Sequence, residues 1–461
     1  SAPGLLAWAN ARLTAPPSEA AVLDREAVYF TLERGSVALR EFDADGALRQ
    51  QLLRGFLLPD MRAGPGFLRM QATSLATSCL QGLQLGPPAL EELTQLCCAN
   101  MREGDYPVRA FAIILMGKLL RFPAVKERVR GQVPQLFAVM LEVIGQHEHE
   151  SLITHLGELV ESFPEEVAPF AVQLVDQLVA LGKRIQEAGA PGPEEEDIEK
   201  ELSSFSVFAA MARAVRLAKD PAAHAAVVER LDAFCCYVLS FQAPELDEEV
   251  FSLIAQLVGA GAPGAVHPLL WKYFELFAHS LLQTAPFDRS RAANVLLRLV
   301  DANAECYLEY AFASLEALVA FAAQEPAALF QRRDEGGREY FDLLLGAFRG
   351  VAARPGDVFE ETQTAKNAFC ATSALVALRH AAPVERLQPL GALCVQLALA
   401  PREDEGALQK NIFLAAAGAL FIASATAAAE QLKLGPGLLE QWVETHNYAL
   451  APHVRKASFL G

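Results

Sequence analysis

One short pattern recurs along this chain and restricts the fold more than any other feature. It consists of a polar turn, a proline, and an apolar run with helical spacing, as at Leu174, Leu178 and Leu181. Proline is tolerated in a first helical turn because its missing N–H would have no partner there anyway. Recurrence of such a unit predicts an array of similar helical repeats. The prolines of the pattern are Pro134, Pro169, Pro268 and Pro389.

A second pattern lies between the copies of the first one. Residues 107–111 and 453–457 each place a Val-Arg pair after a turn, followed by small and apolar residues, and residues 67–72 form a weaker copy. This is the first-helix pattern of HEAT repeats, in which small residues let the paired helix approach closely. We expect its arginine to reach an acidic group in a neighbouring repeat.

These patterns predict an all-α protein, a HEAT-repeat α-solenoid in which antiparallel helix pairs form a superhelix. Strand-like alternation of period two is scarce. At roughly 40–47 residues per repeat, the chain holds about ten of them. We expect residues 1–461 to form a single continuous array that is part of a longer solenoid.

Residues 186–202, QEAGAPGPEEEDIEKEL, differ from the other connectors. Their glycines and prolines exclude a helix through residues 190–193, so we expect an exposed acidic loop that leads into a helix with acids in its first turn. The whole chain has a formal net charge of −17, which attracts basic proteins and repels nucleic acid and anionic lipid. The connector is our candidate protein-binding site, and a solvated turn without function is the alternative. The candidate residues are Glu194, Glu195, Glu196, Asp197, Glu199 and Glu201.

The sequence contains no nucleotide-binding glycine loop, dinucleotide fingerprint or nucleophile elbow. His147 and His149 lie among acids, but neither has a second histidine four residues later, so the zinc-protease motif is absent. Trp271, Phe274 and Phe277 follow helical spacing, which favours core packing over a binding groove. We therefore expect no enzyme activity, no cofactor and no metal site.

Two further features bear on the compartment. Cysteines occur without a C-x-x-C pair, which is typical of buried thiols in a reducing compartment. Residues 412–429 carry no charge but are rich in alanine, which contributes little to membrane insertion. We expect a buried helix there and no membrane insertion.

Four stretches resemble the importin-β superfamily of nuclear transport receptors, in the branch of importin seven and importin eight. They are residues 67–72, residues 106–112, residues 161–172, which is the strongest match and is followed by the acidic connector, and residues 248–254 with Trp271 downstream. The exporter of importin-α has a similar architecture and is the alternative within the superfamily. A HEAT-repeat scaffold without a transport function is the alternative outside it.

The resemblance implies a receptor that carries basic cargo, such as ribosomal or histone-like proteins, through the nuclear pore. It implies contacts with Phe-Gly nucleoporins, control by the GTPase Ran, and a location in cytoplasm, nucleus and nuclear envelope. The chain matches the middle and later part of such a receptor, so the N-terminal repeats that bind Ran in the family are expected to be missing. No Ran-binding residue can therefore be assigned in this sequence.

Overall fold

The computed structural model describes residues 2–16, 18–146, 150–187, 194–240, 246–262, 264–282, 304–352 and 360–398. Across these ranges the regular elements are helices, and the one extended pairing is an isolated bridge between Arg333 and Glu339. The all-helical prediction is therefore confirmed for this part of the chain. Two compact units are present, residues 1–217 and residues 218–461.

In the described part of the first unit, long helices are joined by shorter helices and helical turns. A π-helical turn, Leu53–Leu57, joins the fourth helix to the fifth, and short 3-10 turns precede the tenth and the thirteenth. In chain order the helices are α1 (Ala2–Leu13), α2 (Glu19–Arg34), α3 (Ser36–Phe42), α4 (Ala47–Leu52), α5 (Leu58–Ala63), α6 (Gly66–Cys79), α7 (Pro87–Asn100), α8 (Tyr106–Leu119), α9 (Pro123–Val129), α10 (Val133–Gln146), α11 (Glu150–Ser162), α12 (Pro164–Val167), α13 (Ala171–Glu187) and α14 (Glu194–Leu217).

Helix starts in the first unit follow the rule that proline suits the first turn. Pro87, Pro107, Pro123 and Pro164 each occupy the first or second helical position, where the absent N–H breaks no bond of the helix. The Val-Arg pattern at residues 107–111 begins α8, and the weaker copy at residues 67–72 lies in the first half of α6. The Val-Arg pattern therefore marks helix starts as predicted. Of the prolines in the first pattern, Pro134 is the second residue of α10, whereas Pro169 and Pro268 lie in short 3-10 turns directly before α13 and before the helix that begins at Trp271.

Two layers of helices enclose the core of the first unit. In one layer α2, α6, α8, α11 and α14 pack side by side in that order. In the other layer α5, α7, α10 and α13 pack on their partners, and α7 and α8 form one of the antiparallel pairs. Apolar side chains from both layers fill the space between them, including Leu93, Ile113, Phe137 and Leu156, which are fully buried. Each of these helices therefore buries its apolar face against helices of its own repeat or of the adjacent repeat.

The second unit repeats this arrangement. In it α16 packs on α18, α18 on α21, and α17 on α20, while α21 and α22 form a pair. Its helices are α15 (Pro221–Ser240), α16 (Asp247–Ala260), α17 (Trp271–Leu282), α18 (Ala304–Gln324), α19 (Ala328–Gln331), α20 (Tyr340–Ala352), α21 (Glu360–Leu378) and α22 (Val384–Ala398).

The structure corrects one predicted helix start. Pro389 lies inside α22, which begins five residues earlier at Val384. The first turn of α22 is supplied instead by the residues that follow Pro383, with Glu385 near the positive end of the helix dipole. Because Pro389 has no N–H, it removes one backbone hydrogen bond near the helix start, and the turn before it remains helical.

Several sequence predictions fall outside the described residues. These are the uncharged segment 412–429, the third Val-Arg pattern at residues 453–457, and the polar cluster at residues 147–149. Within the described part of the chain, no helix is both long enough and apolar enough to cross a membrane.

Candidate protein-binding site

The six candidate acids lie at the start of α14, whose backbone is helical from Glu194 onward. The predicted loop over residues 186–202 is therefore helical at both ends: residues 186–187 belong to α13, and residues 194–202 belong to α14. Residues 188–193 lie outside the described part. Acids are favourable in the first turns of a helix because the N-terminal end of the dipole is positive, and this explains why the acidic run joins the helix.

A hydrogen bond fixes where the acidic turns lie relative to α13. The side-chain amide of Gln186, in the last turn of α13, donates to the hydroxyl of Ser204 over 3.1 Å. The end of α13 is therefore level with the eleventh residue of α14. At 1.5 Å per residue, the ten residues that precede Ser204 extend about 15 Å beyond that level. The acidic turns thus belong to a helical segment that projects past its partner helix.

The C-terminal half of α14 is anchored on α11. Val207, Met211 and Val215 are fully buried. Arg213 donates to Glu161 over 2.6 Å and lies directly over Gly157, where an added Cβ would come within 2.4 Å of its guanidinium. Glycine at position 157 therefore permits the close approach of α14, whose C-terminal half packs on α11.

Arginine pairs between neighbouring repeats run along the first unit. Arg109 of the Val-Arg pattern reaches Glu142 of α10 over 3.0 Å and also donates to the carbonyl of Met101. Arg69, in the weaker copy of the pattern, pairs with Glu103 over 3.0 Å. The sequence prediction that this arginine reaches an acid in a neighbouring repeat is confirmed. The hydrogen bond and charge of Arg109 hold the pKa of the Glu142 carboxyl below its ordinary value.

The aromatic stretch of the second unit is core, as its spacing predicts. Trp271, Phe274 and Phe277 are almost completely buried. The ring of Phe321 from α18 lies 5.1 Å from that of Trp271 and 5.5 Å from that of Phe274. Tyr340 stacks on Phe274 at 4.6 Å. These rings join α17, α18 and α20, so they hold the unit together and offer no open groove.

The described cysteines are free thiols. Cys97 and Cys235 are fully buried, and the second member of each pair, Cys98 or Cys236, is partly exposed. Burial raises the pKa of the Cys97 and Cys235 thiols, so both stay protonated and unreactive. Among the residues the structure describes, no cluster of three or more His, Cys, Asp or Glu side chains is placed to hold a metal ion.

Comparison with known proteins finds a partial similarity to an importin. No family model matches the chain. The probable importin-7 homolog of Dictyostelium discoideum is 26% identical over 129 residues, which are 28% of this chain and 12% of that protein. The chain resembles the importin-β superfamily. This similarity confirms the resemblance that the sequence indicates, and the matched stretch spans a small part of the relative.

Solved helical structures show weaker likeness. A Kap121p mutant aligns with a TM-score of 0.39 and 12% identity, covering 98% of this chain and 50% of Kap121p. Kap121p bound to the extreme C-terminus of the protein phosphatase Cdc14p aligns with a TM-score of 0.37 and 13% identity over the same shares. The N-terminus of TSC2 aligns with a TM-score of 0.37 and 13% identity, covering 85% of this chain and 98% of that one. The chain therefore spans half the length of Kap121p.

Proposed function

We propose that this chain is part of a nuclear transport receptor of the importin-β superfamily and that the acidic end of α14 binds basic protein cargo. The similarity to an importin-7 homolog supports the class of protein. The projection of the acidic turns beyond Gln186 supports the site, and it is the observation that carries the proposal. We further propose that Ran in its GTP-bound form and Phe-Gly nucleoporins bind the receptor, and that it moves between cytoplasm and nucleus.

Charge makes the acidic end a suitable contact for a basic segment. Six acids within eight residues repel one another, and a ligand rich in lysine and arginine relieves that repulsion. Exposed ion pairs contribute about 0.2–1 kcal/mol each, so several together change affinity tenfold or more. A dense charge of one sign acts most strongly on the association rate, because it steers the ligand before contact.

The test replaces the six acids together by their amides, which preserves side-chain size and helix propensity. A matched control variant neutralises six exposed acids scattered over both units, so that both variants lose the same charge. The control acids are Glu41, Glu165, Glu229, Glu335, Asp342 and Glu385. Association of a labelled lysine-rich peptide is followed by stopped flow at low and at physiological salt.

We expect the α14 variant to associate about tenfold more slowly at low salt, and the control variant to change much less. The difference should shrink as salt rises, since exposed charges are screened over about 8 Å at physiological ionic strength. Equal slowing in both variants would show that only the net charge of −17 matters. An unchanged rate in the α14 variant would show that the acidic turns do not bind cargo. A pull-down of GTP-loaded Ran with the full-length protein, whose N-terminal repeats are expected to bind Ran, separates a transport receptor from a scaffold.

A further inference from the structure

A groove of opposite charge lies in the first unit, on the layer formed by α6, α8 and α11. It has a volume of about 650 Å³. We call it the basic groove, and the side chains that define it are Arg40, Thr77, Ser78, Lys118, Arg121 and Glu158. Three cations face one carboxylate, in a chain whose formal net charge is −17. Sequence reasoning missed this site because its residues are spread over more than a hundred positions.

Two of the three cations of the basic groove differ from Arg109 of the same unit, which is paired with the Glu142 carboxylate. Arg40 and Arg121 form no salt bridge with a carboxylate among the residues that the structure describes, although the charge of Arg121 acts on the Glu158 carboxylate. Arg121 donates through its Nε to the carbonyl of Lys118 over 2.9 Å, which leaves its terminal nitrogens open to a ligand.

Lys118 shares its charge loosely with Glu158, at an Nζ to carboxylate distance of 3.9 Å. The Glu158 carboxylate is engaged more closely by His155, at 2.6 Å. That hydrogen bond lowers the pKa of Glu158, against the opposing effect of burial, and the carboxylate stays charged. Glu158 is therefore an internal counter-ion for Lys118. The ion pair between them is long, so a competing anion can replace Glu158 as the partner of Lys118.

The placement of the cations favours an extended ligand over a single anion. Arg40 lies in the last turn of α3, and Lys118 lies in the last turn of α8, and both helices pack against α6. The groove therefore carries its cations on separate helices, and its volume of about 650 Å³ leaves room for more than one phosphate or carboxylate. An extended peptide advances about 3.3 Å per residue, so successive carboxylates along it can meet cations that lie on different helices. Thr77 and Ser78, at the end of α6, add hydroxyl groups to the same groove.

We propose that the basic groove binds an extended acidic segment of a partner protein, with carboxylates of the segment paired to Arg40, Lys118 and Arg121. Guanidinium groups suit this ligand because their forked N–H donors match a carboxylate. The ligand has the opposite charge to the cargo proposed for α14, so the two sites can be tested separately. The proposal rests on the geometry of the groove and does not depend on the transport function.

The probe is a fluorescent peptide of eight glutamates, and its binding to the full chain is followed by anisotropy. The groove variant carries Arg40→Gln, Lys118→Gln and Arg121→Gln. The control variant carries Arg54→Gln, Arg102→Gln and Lys126→Gln, which remove the same charge from surface positions of the same unit outside the groove. We expect at least tenfold weaker binding in the groove variant and less than twofold weaker binding in the control.

A further variant tests the groove in the opposite direction. Glu158→Gln removes the internal counter-ion, frees Lys118, and should strengthen binding of the acidic peptide severalfold. Equal weakening in the groove and control variants would overturn the proposal, and so would a Glu158→Gln protein that binds no more tightly than the wild type. A single-stranded DNA oligonucleotide of equal charge that binds the groove as tightly as the peptide would also overturn it, since the groove would then bind any polyanion.

Discussion

Replacement of Arg49 by methionine tests how the turn between α3 and α4 is held. The Asp43 and Arg49 side chains form a salt bridge of 3.1 Å and are 1% and 4% exposed, respectively. Arg49 also donates to the carbonyl of Gln81 over 2.8 Å, so it joins this turn to the chain that follows α6. The Asp43 carboxylate accepts the backbone N–H groups of Leu48 and Arg49, both at 2.9 Å.

The expected loss follows from what remains after the substitution. Methionine fills similar space but leaves the Asp43 carboxylate buried without its cation. Breaking one partner of a buried pair costs about 3–5 kcal/mol, which is a large part of the 5–15 kcal/mol that stabilises a typical domain. Combining Arg49→Met with Asp43→Asn removes the uncompensated charge, so the double variant should regain at least 1 kcal/mol.

The pH dependence gives a second signature of the same pair. Burial alone would raise the pKa of Asp43, but the backbone N–H groups and the Arg49 guanidinium outweigh it and hold the pKa below its ordinary value. A depressed carboxyl pKa stabilises the fold at pH values above the unfolded pKa of about 3.9, and this stabilisation is lost as the pH falls through the folded value. The difference in the free energy of unfolding between the wild type and Arg49→Met should therefore become smaller below about pH 4.

Hydrogen–deuterium exchange measures the effect locally. Peptides covering residues 36–80 should exchange faster in Arg49→Met, while peptides of α17 and α20 should be unchanged, because repeats contact only their neighbours. Urea unfolding followed by circular dichroism supplies the free energy of the affected transition. The reasoning would be refuted if Arg49→Met lost less than about 1 kcal/mol in free energy of unfolding, or if its difference from the wild type stayed constant down to pH 3.

Two further predictions concern the second unit. Phe321→Ala should lower the free energy of unfolding by about 3–5 kcal/mol, because the ring is fully buried against Trp271. The exposed Phe369 is the control, and its replacement by alanine should cost under about 1 kcal/mol in a urea titration; similar losses would contradict the packing. Burial lowers the pKa of the His224 imidazole, although its hydrogen bond to the Leu257 carbonyl acts in the opposite direction. The stability that depends on neutral His224 is therefore fully present above the unfolded pKa of about 6.5 and declines below it. The melting temperature should fall between pH 7.5 and 5.5, and less in His224→Gln; an equal fall in both would exclude His224 as the cause.

Much of the helical pattern could be predicted from local sequence. A proline such as Pro107 or Pro164 specifies a helix start through its own ring and missing N–H, and the structure starts helices at both. The spacing of Trp271 and Phe274 predicts a buried face, since residues three or four apart lie on one side of a helix. These signals depend on neighbours in sequence, so the chain alone contains them.

The position of the acidic run at the start of α14 depends on contacts that the sequence does not show. The six acids that begin with Glu194 form one charged run in the sequence, and we expected a loop that leads into a helix with acids in its first turn; in the structure the whole run from Glu194 onward is helical. The distance that it projects beyond α13 depends on the contact between Gln186 and Ser204, which brings two helices level. The position of Pro389 inside α22 likewise depends on which turn begins the helix.

Contacts between helices were decided by the tertiary structure alone. The basic groove joins Arg40 with Arg121 and Glu158, which belong to different repeats. No sequence spacing relates them, because the stagger and side-by-side order of packed helices set which side chains meet. Sequence periodicity specifies the face that each helix buries. The packing of one layer of helices on the next specifies which of the remaining charged side chains share a surface, and so where a ligand can bind.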